Sequence, residues 1–403
     1  MGKELDEIFE SFEENRIFKD RSILQSNYIP AEIPHRGDQI KQIASILAPV
    51  LKGERPSNIF VYGKTGTGKT LSILYLKDEL LKRIKKESGV SLRIEYINCK
   101  LRKVSDTEYR ILAELIKKLG GKVPNTGLPT ETVYNKFIDI IDSEKQILIL
   151  ILDEIDQAVK KISTDFLYNL TRLNSELSKT QIGLVGISND LTFLEGIDPR
   201  VRSSLSEEEV VFSPYNALQL QEILTHRAKP AFKENVVEEG VIAKCAAFAA
   251  REHGDARRAL DLLRIAGELA ERENSPKILL RHIDEANVKI EREKILEVVK
   301  SEPKQFQYVL YSIIKLLEKE VGPIFTGDVY NCYQEICGKN KSEVLTQRRV
   351  GDIIQEFDML GIINVKVISK GRGGRMREIK LAISKTLIEK TKKIIEESLD
   401  YNF

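Results

Sequence analysis

Tryptophan is absent from this chain of 403 residues, and cysteine (4), histidine (4) and methionine (3) are scarce. Cys99, Cys245, Cys332 and Cys337 form no C-x-x-C pair, which removes the spacing of zinc ribbons and dithiol redox sites. Cys332 and Cys337 fall on one predicted helix, where core packing accounts for them. His35, His226, His253 and His282 are scattered and lack the H-E-x-x-H spacing of a helix-borne zinc site. The longest apolar run, residues 147–152, is far below the ~20 residues that span a bilayer, so no membrane partner is expected. The opening stretch MGKELDEIFESFEENR is acidic and lacks an apolar centre, so no secretory signal is expected. Internal repeats and low-complexity tracts are missing too. Neither sign of charge dominates: 63 Lys and Arg against 61 Asp and Glu leave +2, so any nucleic-acid surface must be local. Together these absences indicate a protein of a reducing, intracellular compartment. Abundant Lys, Glu and Ile beside few Met hint at a thermophile.

What is present is ample core material, 42% apolar, within a chain long enough for about two or three domains. The run GKTGTGKT, Gly63 to Thr70, matches G-x-x-x-x-G-K-[ST]. It follows an apolar strand pattern (58–62) and precedes a helical one (69–86), the context that makes it a phosphate loop. Glycines let backbone N–H groups turn inward around phosphates, and the following helix N-terminus adds positive potential. Lys69 is placed to reach the β- and γ-phosphates and Thr70 to ligate Mg²⁺. A second buried strand, ILILIL, ends in Asp153 and Glu154. Asp153 can hold the same Mg²⁺ through water, and Glu154 can orient the attacking water. Asn189 at the tip of QIGLVGIS can touch the γ-phosphate. Arg257 stands in the first turn of a helix, where a cation is unfavourable without an anionic partner.

Strands are predicted at 58–62, 93–98, 147–152, 181–187 and 209–212, with helices at 31–51, 69–86, 106–119, 131–141 and 164–177. Continuous apolar strands separated by helices indicate a parallel five-stranded sheet covered on both faces. Residues 1–30 read as a polar arm, and 31–213 as an α/β nucleotide-binding base. After Pro214 only helical patterns appear (217–228, 238–251, 256–273, 280–293), giving an all-α lid over 214–296. The segment 297–403 reads as helices at 304–320, 326–337 and 347–360, a hairpin (362–369 and 375–383) and a helix at 385–397, the order of a winged helix. Thr346 should cap the helix QRRVGDIIQEFDML, with Val350, Ile353, Ile354, Phe357 and Leu360 inward. Gln347, Arg348 and Arg349 then project from its exposed first turn, the end from which recognition helices read bases. The hairpin gathers Lys366, Lys370, Arg372, Arg375, Arg377 and Lys380 against Glu378. Its tip, with Lys370, Arg372, Gly373 and Arg375, can enter a minor groove.

The ordered set YIPAEIPHRGDQI, GKTGTGKT, ILDEID, GISND, IDPRVRSSL, FSPYNALQLQEIL and GDARRALDLLR resembles the AAA+ ATPases. More narrowly, it resembles the archaeal initiators related to the eukaryotic origin-recognition and cell-division-cycle replication proteins. The resemblance runs from about Phe18 to the C-terminus. It implies a nucleotide (ATP or ADP) held by Arg36, Gly63, Lys64, Thr65, Gly66, Thr67, Gly68, Lys69, Thr70 and Leu71. Asp153 and Glu154 become the Walker B pair, Asn189 the first sensor and Arg257 the second, while Tyr215 and Arg227 match lid contacts. Arg200 and Arg202 fall in the arginine-finger region, although Ser204 replaces a basic residue common there, which fits a slow ATPase. An additional helix after the second strand implies DNA contact from Lys100, Arg102 and Lys103. The resemblance thus implies an ATP-switched initiator on origin double-stranded DNA in the cytoplasm, associated with the nucleoid. Its implied partners are the replicative helicase and a paralogous initiator. Two alternatives are a clamp-loader ATPase, which would lack the winged helix, and a transcription regulator, which would need no helicase.

Overall fold

Three short apolar runs, at 58–62, 147–152 and 182–187, organise the first part of the chain, because each must be covered on both sides. The computed structural model describes residues 17–87, 91–100, 107–124, 127–162, 165–205, 207–318, 322–369, 375–383 and 385–398. These form two units, one ending at Ile283 and one starting at Asp284. In chain order the base comprises α1 (Gly37–Leu47), β1 (Asn58–Tyr62), α2 (Lys69–Glu87), β2 (Leu92–Asn98), α3 (Glu108–Lys118), α4 (Thr130–Ile141), β3 (Ile147–Asp153), α5 (Ile155–Lys161), α6 (Asp165–Glu176), β4 (Gln181–Ser188), α7 (Pro199–Leu205) and β5 (Glu207–Val211). The strands pair in the order β2-β3-β4-β1-β5, all parallel. Every residue of β3 is buried. Leu148, Leu150 and Leu152 join one core with residues of α3, α4 and α6. Ile147, Ile149 and Ile151 join the other with residues of α1 and α2. Period-two alternation between two covered faces is why the strand reads as one unbroken apolar run.

The structure adds α5 and α7 to the predicted elements; each is too short for helical periodicity to register. Helix α1 starts at Gly37, later than the predicted residue 31, because Pro34 and left-handed His35 (φ 60°) hold the entry non-helical. A 3₁₀ turn, Ala48–Lys52, completes the segment.

The lid comprises α8 (Ala217–Ala231), α9 (Val241–Arg251), α10 (Ala256–Arg272) and the first turn of α11 (Leu280–Ser301). Asn216 and Gln219 form a capping box that starts α8. Helix α8 outlasts its predicted end at 228: it runs through Pro230, and the Phe232 N–H still donates to Ala228 O at 2.9 Å. The expected polar arm is partly apolar where it is described. Ile17, Phe18, Ile23 and Leu24 are buried, and Phe18 packs 4.9 Å from Phe232 and against Gly267 of α10. The N–H groups of Lys19 and Asp20 donate to Ala231 O at 2.8 and 3.1 Å.

In the second unit, α12 (Lys304–Glu318), β6 (Ile324–Phe325), α13 (Thr326–Lys339), α14 (Gln347–Met359), β7 (Ile363–Ser369), β8 (Arg375–Leu381) and α15 (Lys385–Ser398) make a winged helix. Its sheet is antiparallel in the order β6-β8-β7. Val350, Ile353, Ile354 and Phe357 are buried as predicted. Leu360 is not: it lies past the last turn of α14 and is 40% exposed. Cys332 and Cys337 are buried in this core. No described helix is long and apolar enough to cross a membrane.

The sheet makes one packing demand that can be tested. A Cβ at Gly186 would lie 2.6 Å from Phe60, whose ring is fully buried. Gly186→Val should therefore destabilise the base by roughly 1–3 kcal/mol. The check is the urea midpoint of base unfolding; an unchanged midpoint contradicts this packing.

Candidate functional site

Between β1 and α2 the chain turns with Gly66 (φ 73°) and Gly68 (φ 90°) in the left-handed region. The missing side chains also admit the lid. A Cβ on Gly66 would fall 1.7 Å from Asp255 Oδ1, and one on Gly68 would fall 2.8 Å from the Tyr215 hydroxyl. Within the turn, Thr67 Oγ1 donates to Lys64 O at 2.8 Å. The Lys69 ammonium donates to Gly63 O (2.6 Å), Lys64 O (2.8 Å) and Asn189 Oδ1 (2.9 Å). Lys69 is buried, and desolvation pushes its pKa down to about 8. Asp153 opposes that shift and Arg257 reinforces it. A buried cation bonded to neutral oxygens favours an anionic ligand.

Asp153 ends β3 at the carboxyl edge of the sheet. Its Oδ2 accepts from Thr70 Oγ1 (2.9 Å) and from the Tyr96 hydroxyl (2.8 Å), and its Oδ1 accepts from Glu154 N (2.9 Å). Glu154 is itself left-handed (φ 53°) and sets the chain into α5. Its Oε2 lies 3.5 Å from Lys100 Nζ. Asp156 accepts from Ser188 Oγ (3.2 Å) and Asn189 N (3.4 Å), which fixes the base of the Asn189 side chain. Tyr96 and Asp156 were not among the residues singled out from sequence. A signal existed for the first: Tyr96 and Asn98 alternate at the carboxyl end of a parallel strand, where ligands bind.

The lid closes the opposite side. Asp255 caps α10, accepting from Arg257 N (2.8 Å) and Arg258 N (3.3 Å), while Ala256 N donates to Gly66 O at 3.1 Å. The cavity so enclosed measures about 600 Å³. Its lining includes Thr65 to Leu71, Asp153, Glu154, Asn189 and Arg257, and also apolar Ile29, Pro30, Ile223 and Leu260. A phosphate ester bearing a flat ring suits that mixed lining. Tyr215 and Arg227 also line it; Arg227 donates to Tyr28 O at 3.2 Å and lies over the Tyr28 ring. Gly63, Lys64 and Arg36 do not line it. The first two supply the carbonyls that hold Lys69. Arg36 spends its nitrogens on Thr67 O (2.8 Å), Ser213 O (2.6 Å) and His35 O (3.4 Å), with its guanidinium 3.8 Å from the Tyr215 ring. It braces the hinge between base and lid. For a metal, no cluster of three or more His, Cys, Asp or Glu occurs among the described residues. The oxygen pair of Thr70 and Asp153 fits a hydrated Mg²⁺ that takes its other ligands from water and phosphate.

Three family models match this chain in sequence order. They are an AAA domain (residues 52–194), a Cdc6 AAA+ ATPase-type lid domain (221–288) and a CDC6 C-terminal winged helix domain (297–391). An ORC1-type DNA replication protein of Thermococcus onnurineus is 51% identical over 385 residues, covering 94% of this chain and 92% of that one. This chain belongs to the ORC1-type DNA replication proteins. A further member, ORC1-type DNA replication protein 1 of Sulfurisphaera tokodaii, is 47% identical over 399 residues, covering 98% of each. Among solved structures, the Aeropyrum pernix ORC1 protein in complex with DNA matches with a TM-score of 0.81 and 42% identity, over 95% of this chain and 97% of that one.

The remaining residues expected from sequence lie elsewhere in this ORC1-type fold. Arg200 and Arg202 are on α7, outside the cavity wall. Arg200 pairs with Asp198 at 3.1 Å, and Arg202 lies 4.0 Å from Glu209. Thr346 caps α14, accepting from Arg349 N at 3.4 Å. Gln347, Arg348 and Arg349 are exposed on its first turn, and Arg349 stands 3.7 Å from Glu356. Lys366, Arg377 and Lys380 are exposed on β7 and β8. Arg102, Lys103, Lys370, Arg372 and Gly373 lie outside the described residues, as does the side chain of Arg375.

The Lys69 environment sets a pH dependence. The amine is charged below about pH 8 and neutral above it, and a polyphosphate favours the charged form. Nucleotide affinity should stay level below about pH 8, then fall by up to about tenfold per pH unit above it. Titration with a fluorescent ATP analogue from about pH 7 to about pH 9.5 checks this. Equal affinity across that range contradicts it.

Proposed function

We propose that this chain is an ATP-switched replication initiator that binds origin duplex DNA and recruits the replicative helicase. The observation that carries the reading is the near full-length likeness to an ORC1 protein solved in complex with DNA, at 42% identity. The nucleotide half of the proposal rests on local chemistry. The glycine-loop N–H groups and Lys69 bind the phosphates, and Thr70 with Asp153 would hold Mg²⁺. When bound, that ion neutralises charge developing on the transferred phosphoryl group. Glu154 orients the attacking water, Asn189 senses the γ-phosphate, and Arg257 brings the lid onto the same group. Because Asp255 and Ala256 rest on Gly66, whatever fills the glycine loop also sets the start of α10. That linkage lets nucleotide state be read as lid position.

Hydrolysis is slow in this proposal. Arg200 and Arg202 stand off the cavity, so an arginine from that helix could act only on a neighbouring copy's nucleotide. A switch needs the long-lived bound state that results. The DNA half rests on α14 and the basic hairpin. In this proposal Gln347, Arg348 and Arg349 meet base edges or phosphates, and Lys370, Arg372, Gly373 and Arg375 follow the minor groove. Lys100, with Arg102 and Lys103, would add phosphate contacts from the base. A paralogous initiator on the same origin fits this arrangement.

Two measurements test the reading. Lys69→Ala should reduce ATP binding by calorimetry to below detection; wild-type affinity in the variant contradicts the phosphate-loop role. The double variant Arg372→Ala, Arg375→Ala should weaken duplex binding and lower the salt slope by roughly 1–2. An unchanged slope means the hairpin does not meet phosphate.

A further inference from the structure

Tyr96 sits on β2, an edge strand of the sheet, and nothing above gives it a role. The β2–β3 register sets Asn98 opposite Asp153 and Tyr96 opposite Ile151. The length of the tyrosine carries its hydroxyl past that pairing to Asp153 Oδ2, 2.8 Å away. The same oxygen accepts from Thr70 at 2.9 Å, and Oδ1 accepts from Glu154 N at 2.9 Å. A carboxylate offers about four lone-pair directions. Three donors therefore hold Asp153 in a single orientation and leave one direction, on Oδ1, without a donor. A carboxylate so held suits acceptance from a metal-bound water better than direct ligation. Thr70, by donating its hydrogen to Asp153, keeps its own lone pairs free for the metal. Tyr96 lines the nucleotide cavity, so its hydroxyl acts where the metal would sit and not in a distant core.

We propose that Tyr96 is a positioning residue for Mg²⁺: its hydroxyl fixes the Asp153 carboxylate in the orientation that receives the metal–nucleotide complex. This rests on the nucleotide-site reading given above. The alternative is that the ring merely shapes the wall. Tyr96→Phe separates the two, because it keeps the ring and removes one donor. The experiment is calorimetric binding of a non-hydrolysable ATP analogue to the full chain, in EDTA and across a Mg²⁺ titration, with a thermal melt of both proteins. In EDTA the variant should match wild type within about twofold. The Mg²⁺ concentration for half-maximal enhancement should rise about tenfold, the scale of losses when a partner of a metal ligand is removed. The melts should coincide. Superimposed Mg²⁺ curves overturn the proposal and mark a ring that only shapes the pocket, since the variant keeps that ring; an equal loss of affinity with and without Mg²⁺ also overturns it, because the hydroxyl would then act on the nucleotide and not on the metal side. Wild-type protein that binds no analogue under either condition overturns the nucleotide-site reading, and this inference with it. Wild-type binding with superimposed curves overturns the role of Tyr96 alone.

Discussion

The Lys69 ammonium is the interaction on which the rest of this structure turns. It is a cation buried at the mouth of a parallel sheet, and its hydrogen-bond partners among the described residues are two carbonyls and one amide oxygen. Burial alone pushes its pKa down by more than the nearby carboxylates restore. A fold that maintains such a group needs an anion to complete it. The surrounding features follow from this. Glycines remove the side chains that would block a phosphate. Asn189 holds the amine in place, and Asp156 holds Asn189. Asp153, tied by three donors, stands beside Thr70 at the start of α2.

The second organising contact is that between lid and loop. An α-helix begins with unpaired N–H groups. In α10 the capping carboxylate of Asp255 satisfies two of them and also fills the space vacated at Gly66. The Ala256 N–H goes to the loop itself. Lid and loop therefore share atoms instead of merely facing one another. Arg36 and Tyr215 stack at the hinge beneath them, and Arg36 bonds both the loop carbonyl of Thr67 and the hinge carbonyl of Ser213. Sequence likeness placed Arg36 with the nucleotide contacts; the geometry places it one layer behind them.

Legibility from sequence followed the strength of the physical signal. The strands of the base were readable because both faces are covered, which leaves an unbroken aliphatic run at 147–152. The glycine loop, Asp153 and Asn189 were readable because spacing and strand ends constrain them tightly. Helices α5 and α7 were not, since about two turns carry too little periodicity. The packing of Ile17 and Phe18 against the lid was hidden inside a polar stretch, where two apolar residues look incidental. Tyr96 carried only the general signal of a place at a strand's carboxyl end; its bond to Asp153 depends on reaching across to the neighbouring strand, which one strand's sequence does not reveal. Leu360 kept the helical period of α14 but fell beyond its last turn, where period no longer predicts burial.

The central claim is that one bound nucleotide orders the glycine loop and the start of the lid helix together. Hydrogen–deuterium exchange on the full chain, with and without ADP, tests it directly. The account predicts that amides of residues 63–70 and of 256–259 gain protection in parallel over the same ADP concentrations. Protection confined to the loop, with the first turn of α10 unchanged, would contradict it.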